Sequence, residues 1–479
     1  MEEQGAAPKK GVIGFFVLAM MNVAIICSLR GLPVMAKEGL SLVFYYAAAA
    51  VFFLVPVSLV TAELATGWPP KGPGGVYIWV REAFGERAGF LAIWLQWIEN
   101  VIWYPTALSF LAATLAYIYD PALASNKLYM IAVILIAYWG GTYANFRGMK
   151  TSGAISTIGV ICGVFIPGAL MIALGALWLL QGNASELVFS ARRLIPDPTN
   201  IDNIVLFAGA ILIFTGIEVS GVHSQEVRDP KNSYPRAILL SAGLAFFILT
   251  LGSLAIAVVI PQKEISLVAG LMEAFRHLLD RFGLRWMIPL LALMISLGAL
   301  GELCSWIIGP SKGLMTTARH GHIPPFLQKV NDRDVPVNIL FVQAGIVTAL
   351  SLVFLLMPTV SSSYWILSAL TVILYLIMYL FLYATVIRLR YSRPEVKRGY
   401  AIPGGLPGVW IVGGTGFIGA LATLIIGFFP PSQLKTGNVY FYICFLATGT
   451  ILMCAAPLLL SLFRNPSWNR GRFPSTHTQ

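Results

Sequence analysis

Long stretches of this chain carry no charge. Residues 40–62, 153–180, 237–261, 335–357, 408–429 and 439–463 contain no Asp, Glu, Lys or Arg. Each reaches the roughly 20 residues a helix needs to cross hydrocarbon. Apolar residues fall on all sides of these segments rather than along one stripe, as lipid or a large bundle demands. The pattern predicts twelve spans, at 12–36, 40–63, 88–119, 128–145, 153–181, 203–227, 235–261, 285–317, 335–357, 363–391, 408–429 and 438–463. Between spans two and three, 69–83 predicts an inner re-entrant or amphipathic stretch. Residues 262–285 predict a surface helix, because Leu267, Leu271, Ala274, Phe275, Leu278 and Leu279 recur at helical spacing.

Spans one and six are irregular. The first ends Cys27-Ser28-Leu29-Arg30-Gly31-Leu32-Pro33, where Gly31 loosens the helix and Pro33 removes a donor. The sixth carries Phe214-Thr215-Gly216-Ile217-Glu218, then Ser220 and Gly221. Interrupted helices five spans apart point to two inverted repeats of five, with a solute bound at mid-membrane between them. No residue-level repeat relates the halves, so the symmetry is inferred from where the breaks fall. The predicted fold is all-α and polytopic, with twelve transmembrane helices. Its single membrane domain, 1–463, comprises a first repeat (12–181), a second (203–391) and two added helices (408–463), followed by a short tail, 464–479.

Composition excludes a water-soluble domain. The chain is 57% hydrophobic and 11% charged, against about 25% charged in soluble domains. A net charge of +11 raises nucleic acid as a partner, but the distribution of the charge argues for topology instead. With both termini inside, 22 of the 32 Lys and Arg residues face the cytoplasm, with clusters at Lys9–Lys10, 388–398 and 464–472. That is the positive-inside bias of a cytoplasmic (inner) membrane protein with both ends in the cytoplasm. No cleavage site follows the first apolar segment, so it reads as a span rather than a signal peptide. Cys27, Cys162, Cys304, Cys444 and Cys454 all fall within spans without CxxC spacing, and read as small buried hydrophobes. No metal set and no cofactor are expected. The Pro-Gly loop 69–75 lacks the GxxxxGK[ST] order of a phosphate cradle.

Four charges fall within the apolar stretches: Arg30, Glu99, Glu218 and Glu302. Each costs roughly 2.5–3.5 kcal/mol near the bilayer centre, so it belongs where it faces a cavity or a partner. Arg30 either clamps a substrate carboxylate, pairs with a Glu, or snorkels outward. Glu218 binds a proton or an amino group, or caps amides freed at the break. Glu302 shares a face with Ser305 and Trp306, where Gly298, Gly301 and Gly309 permit close helix approach. Glu99 with Asn100 is a weaker signal. Tyr375 and Tyr379, at i and i+4, share one face and serve either the transport path or aromatic packing. His320 and His322 lie in an inner loop without a third metal ligand. His223, Gln225 and Glu226 close span six as a possible inner gate.

Several segments carry a resemblance: 39–45 (GLSLVFY), 56–65, 74–80 (GGVYIWV), 216–220 (GIEVS), 223–235, 302–311 (ELCSWIIGPS), Ile323-Pro324-Pro325 with Val335-Pro336-Val337, and 400–405. Over nearly its whole length the chain resembles the amino acid–polyamine–organocation superfamily of permeases, and within it the bacterial glutamate/GABA antiporters. In those antiporters a tyrosine pair at the position of Tyr375 and Tyr379 contributes to the transport path. Their first break is tyrosine-rich and acidic, whereas here it holds Ser28, Leu29 and Arg30. Their long C-terminal plug is matched here by only sixteen residues beyond Phe463, so their pH gate is not expected.

Together these observations imply a secondary amino acid transporter rather than an enzyme. It would exchange amino acids by alternating access, with a proton-coupled symporter as the same-class alternative. A polytopic membrane enzyme would want paired acids or His clusters at a membrane face, whereas the acids here sit on separate spans. A sensor would want a signalling domain. Backbone groups of Cys27, Ser28, Leu29, Arg30 and Gly31, and of Phe214, Thr215, Gly216, Ile217 and Glu218, are expected to bind the α-carboxylate and amine. Arg30, Glu302, Trp306, Tyr375 and Tyr379 would select the side chain. An arginine in the pocket favours an acidic amino acid and its decarboxylation product.

Overall fold

A computed structural model describes residues 14–68, 75–147, 161–196, 205, 207–219, 227–333, 335–430, 438–463 and 468. Among these, every regular element is a helix, and the one β-bridge, Val330 to Pro336, is isolated. The helices are α1 (Phe15–Ile26), α2 (Leu32–Ala36), α3 (Gly39–Gly67), α4 (Gly75–Phe84), α5 (Glu86–Tyr119), α6 (Lys127–Phe146) and α7 (Ile161–Leu180). They continue with α8 (Phe207–Ile213), α9 (Pro230–Val259), α10 (Gly270–Arg281), α11 (Ile288–Met315), α12 (Val337–Leu356), α13 (Val360–Ser392), α14 (Gly405–Ile426) and α15 (Val439–Leu462). Ten of the described helices are long and apolar enough to cross a bilayer, and the chain is a multi-pass membrane protein. Expected spans one and six are not among the ten. Their described parts are the short pieces α1, α2 and α8. His223, Gln225, Glu226, Ser220, Gly221, the 69–74 loop, Lys9–Lys10 and the basic residues Arg464, Arg470 and Arg472 lie outside the described residues.

Prolines shape two of the long helices. Pro56 offers no N–H to the carbonyl of Phe52, and α3 widens into a π turn over Ala50–Leu54. Gly419 of α14 packs onto that carbonyl so closely that a Cβ would lie 2.6 Å from its oxygen. The same device recurs in α7, where a π turn at Ile161–Phe165 precedes Pro167 and Gly163 abuts Gly298 of α11. The 75–84 part of the expected amphipathic stretch is a regular helix. It turns into α5 at Gly85, whose φ of 89° suits glycine.

Helix α5 forms the centre, with 83% of its apolar window inside the protein, whereas α15 at 11% lies on the periphery. Gln343 of α12 knits four helices together inside the apolar mass. Its Oε1 accepts from the Trp97 indole at 2.8 Å and the Ser311 hydroxyl at 2.9 Å, while its Nε2 donates to the Tyr138 hydroxyl at 2.7 Å. A second buried knot adds a charge that the run 40–62 stops just short of. Glu63, 1% exposed, accepts both Nε and Nη2 of Arg390 at 2.7 Å, meets Nε of Arg398 at 3.1 Å and accepts the Ile402 amide at 2.8 Å. The end of α3 is thereby tied to α13 and to the loop before α14. This marks the basic end of the molecule. At the opposite end α10 lies as the expected surface helix. Leu271, Ala274, Phe275, Leu278 and Leu279 are fully buried beneath it, while Arg276 and Asp280 face outward.

Replacing Gln343 by Leu is expected to strand the Trp97 and Tyr138 groups in an apolar interior. The loss is about 3 kcal/mol at roughly 1–3 kcal/mol per buried unsatisfied group, seen as a lower thermal midpoint of the detergent-solubilised protein. An unchanged midpoint would contradict the bridging role.

Candidate functional site

The C-terminal ends of α1 and α8 meet. Helix α1 closes with the Cys27 amide on the Val23 carbonyl at 2.7 Å, after which Cys27 and Ser28 leave helical geometry. A single 3-10 turn, Leu29–Gly31, leads into α2, with Pro33 in its first turn where a missing N–H costs nothing. On the partner segment, α8 ends at Ile213, the chain turns through Phe214–Gly216, and a 3-10 turn resumes at residues 217–219. Gly216 has φ of 105°, a conformation that L side chains rarely adopt. Contact between the breaks is intimate. A Cβ on Gly31 would lie 2.5 Å from the Ile213 side chain, and one on Gly216 would lie 3.3 Å from Ile25 and 3.6 Å from Trp306.

Between them is a cavity of ≈ 50 Å³ lined by Ser28, Arg30, Gly31, Glu99, Asn100 and Trp103, and by Thr215, Gly216, Glu302, Trp306 and Tyr375. The guanidinium of Arg30 lies 4.7 Å above the Trp103 ring, and its Nη1 donates to the Thr106 hydroxyl at 3.3 Å. Its Nε is buried without a hydrogen-bond partner. Among the described residues Arg30 forms no ion pair with either carboxylate of the lining, and Glu302 has no hydrogen-bond partner. Glu99 accepts from the Asn100 side-chain amide, which also donates to the Gln96 carbonyl at 2.9 Å. Charges of both signs therefore line one small space. A second cavity, sharing Arg30, Gly31, Leu212 and Ile213, continues past Val34 and Tyr364.

Not every residue singled out in the sequence lines this space. Ser28, Arg30, Gly31, Thr215, Gly216, Glu302, Trp306 and Tyr375 do. Cys27 is buried beside the break, Leu29 packs against Gly168, and Phe214 sits against the Tyr46 ring at 5.6 Å. Glu218 occupies a cage of its own on the far side of Gly216. Its Oε1 accepts from the Tyr375 hydroxyl at 2.6 Å and Gln96 at 3.1 Å, and its Oε2 from the Tyr379 hydroxyl at 2.5 Å. The Tyr379 oxygen also accepts the Gly216 amide at 2.9 Å, so it satisfies a donor that the break set free. The rings of Tyr375 and Tyr379 stack at 4.8 Å.

Sequence reasoning passed over Trp103 and Thr106, whose positions i+4 and i+7 from Glu99 place all three on one face of α5. His322 is fully buried, stacks on Phe90 at 4.9 Å and lies 3.9 Å from Glu86, while His320 meets Arg81 at 2.9 Å.

A polar cavity lined where two helices leave regular geometry inside a multi-pass membrane protein is the build of a solute carrier. The chain belongs to the amino acid permease family, which it matches over residues 13–451. An uncharacterized transporter of Legionella pneumophila is 44% identical, covering 94% of this chain and 97% of its own length. A glutamate/gamma-aminobutyrate antiporter of Lactococcus lactis is 32% identical over 94% of this chain and 90% of its own. A probable agmatine/putrescine antiporter of the same species is 25% identical over 77% of this chain and 78% of its own.

Tyr379→Phe is expected to leave both the Gly216 amide and Glu218 Oε2 short of a partner. That costs about 2 kcal/mol or more. Tyr375→Phe is expected to cost less, because Gln96 still serves Oε1. Thermal unfolding of the two variants side by side checks the order, and equal losses would contradict it.

Proposed function

We propose that this permease is an amino acid antiporter of the cytoplasmic membrane, with both termini in the cytoplasm, that exchanges an acidic amino acid for its decarboxylation product. The observation that carries the reading is the cavity between the ends of α1 and α8, whose lining brings Arg30 together with Glu99 and Glu302. A zwitterion or an ω-amino acid presents the complementary charges. Its carboxylate would be met by the planar guanidinium fork and by the Leu29 and Arg30 amides that open the 3-10 turn, the first amides of a helix having no acceptor within it. Its ammonium would be met by Glu302. The printed name of the Lactococcus lactis relative, a glutamate/gamma-aminobutyrate antiporter, supports this substrate class.

The cavity is narrow, ≈ 50 Å³, so loading by an amino acid would go with a parting of the breaks. Alternating access by rocking of one bundle against the other supplies that opening. In this reading α1, α2 and α8 belong to the first and sixth of twelve spans, arranged as two inverted repeats of five with α14 and α15 added. The substrate's counter-gradient drives the cycle. One observation favours a second reading: Glu302 reaches the cavity with no hydrogen-bond partner, as a carboxylate that carries a proton in symport would.

Counterflow into proteoliposomes separates the two. Glutamate uptake accelerated severalfold by GABA preloaded inside, and indifferent to an imposed pH gradient, is the expected result. Uptake that follows the pH gradient and ignores the preload would favour symport. Arg30→Ala is expected to abolish or re-target uptake while the protein remains folded, and an unchanged substrate profile would remove Arg30 from the site.

A further inference from the structure

At the basic end, α4, α13 and α14 leave an open groove of ≈ 700 Å³ on the outside of the bundle. Ala384, Ile387, Gly414 and Ile418 line it, with Trp410 and Arg388 also on its wall. Ile418 and Trp410 are 66% and 53% exposed, so the groove opens outward rather than into the transport cavity. Water gains no partners on such walls, whereas a hydrocarbon chain fills them without loss.

The charge pattern selects the other half of the ligand. Of the four arginines between 388 and 398, three already hold carboxylates. Arg390 and Arg398 share Glu63, and Arg393 reaches Glu82 at 3.0 Å. Arg388 alone holds none among the described residues. It is exposed, and its guanidinium lies 5.0 Å over the Phe84 ring, which also lines the groove. The Trp410 indole donates to the Tyr391 hydroxyl at 2.9 Å, placing two amphipathic aromatics side by side as at a headgroup boundary. The groove is thus apolar along its length and cationic at one point.

We propose that it is a binding site for an anionic phospholipid, with an acyl chain along Ala384, Ile387, Gly414 and Ile418 and the phosphate on Arg388. A second copy of the chain is the competing occupant. It would have to bring both an apolar ridge and an acid to the same place.

The test uses the full chain in phosphatidylcholine nanodiscs containing a minor fraction of dibrominated phosphatidylglycerol or, separately, dibrominated phosphatidylcholine. Trp410 fluorescence is read as the difference between wild type and Trp410→Phe. Phosphatidylglycerol is expected to associate about fivefold more strongly, the factor for one basic residue near an anionic lipid. The ratio is expected to fall to about one in Arg388→Gln at unchanged thermal midpoint. Gly414→Leu supplies an independent check. A Cβ there meets nothing within 4 Å, so the leucine fills the groove without a clash and should lower quenching by both lipids. Equal quenching in the wild type, or a preference that survives Arg388→Gln, overturns the proposal. So does quenching by neither lipid accompanied by a dimer on chemical crosslinking.

Discussion

Backbone that leaves the helix inside a membrane must find its hydrogen bonds within the protein, because the surrounding hydrocarbon offers none. Everything distinctive here follows from meeting that demand at two crossing breaks. Gly216 swings to a φ open to glycine, its freed amide goes to the Tyr379 hydroxyl, and that hydroxyl is oriented by the buried Glu218 carboxylate. Thr215 turns its own hydroxyl back onto the Leu212 carbonyl at 2.7 Å. At Gly216 the segment is thus held from outside, by α13, while the amides of Phe214, Thr215 and Val219 keep local backbone acceptors.

The acids buried in the bundle are treated in different ways, and the treatment follows their place. Glu63 is neutralised outright by two arginines and pins α3 to α13. Glu218 is solvated by hydroxyls and an amide, a polar cage without a cation. Glu302 and Glu99 border the cavity that Arg30 also lines. A charge that completes a fixed joint is paired, whereas among the described residues the charges lining the cavity form no ion pair. The Gln343 knot belongs with the fixed joints. It links α5, α6, α11 and α12 through neutral hydrogen bonds fully satisfied inside the protein.

Much of this was legible in the chain. Hydropathy located the long apolar helices among the described residues, all within a few residues except at the start of α7, where 153–160 lie outside the described residues. Glycine and proline chemistry marked the places where α1 and α8 give way. The amphipathic surface helix was read from its leucines. Cavity residues were partly legible: Arg30, Glu302 and Trp306 stand out as polar or amphipathic groups in apolar surroundings. Glu63 escaped notice because it lies at the end of an uncharged run, and its partners are 327 and 335 residues away. Trp103 and Thr106 escaped because an aromatic and a threonine in a membrane helix are ordinary until an arginine arrives on the same face.

What the chain determined alone was local: which segments are apolar on all sides, and where the backbone lacks the propensity or the donor to continue a helix. The tertiary structure decided which face of each break looks into the cavity. It sent Glu218 to the tyrosines on one side of Gly216 and left Glu302 on the other. That choice depends on helices far apart in sequence packing at contact distance around Gly31 and Gly216, and no periodicity within a single segment encodes it.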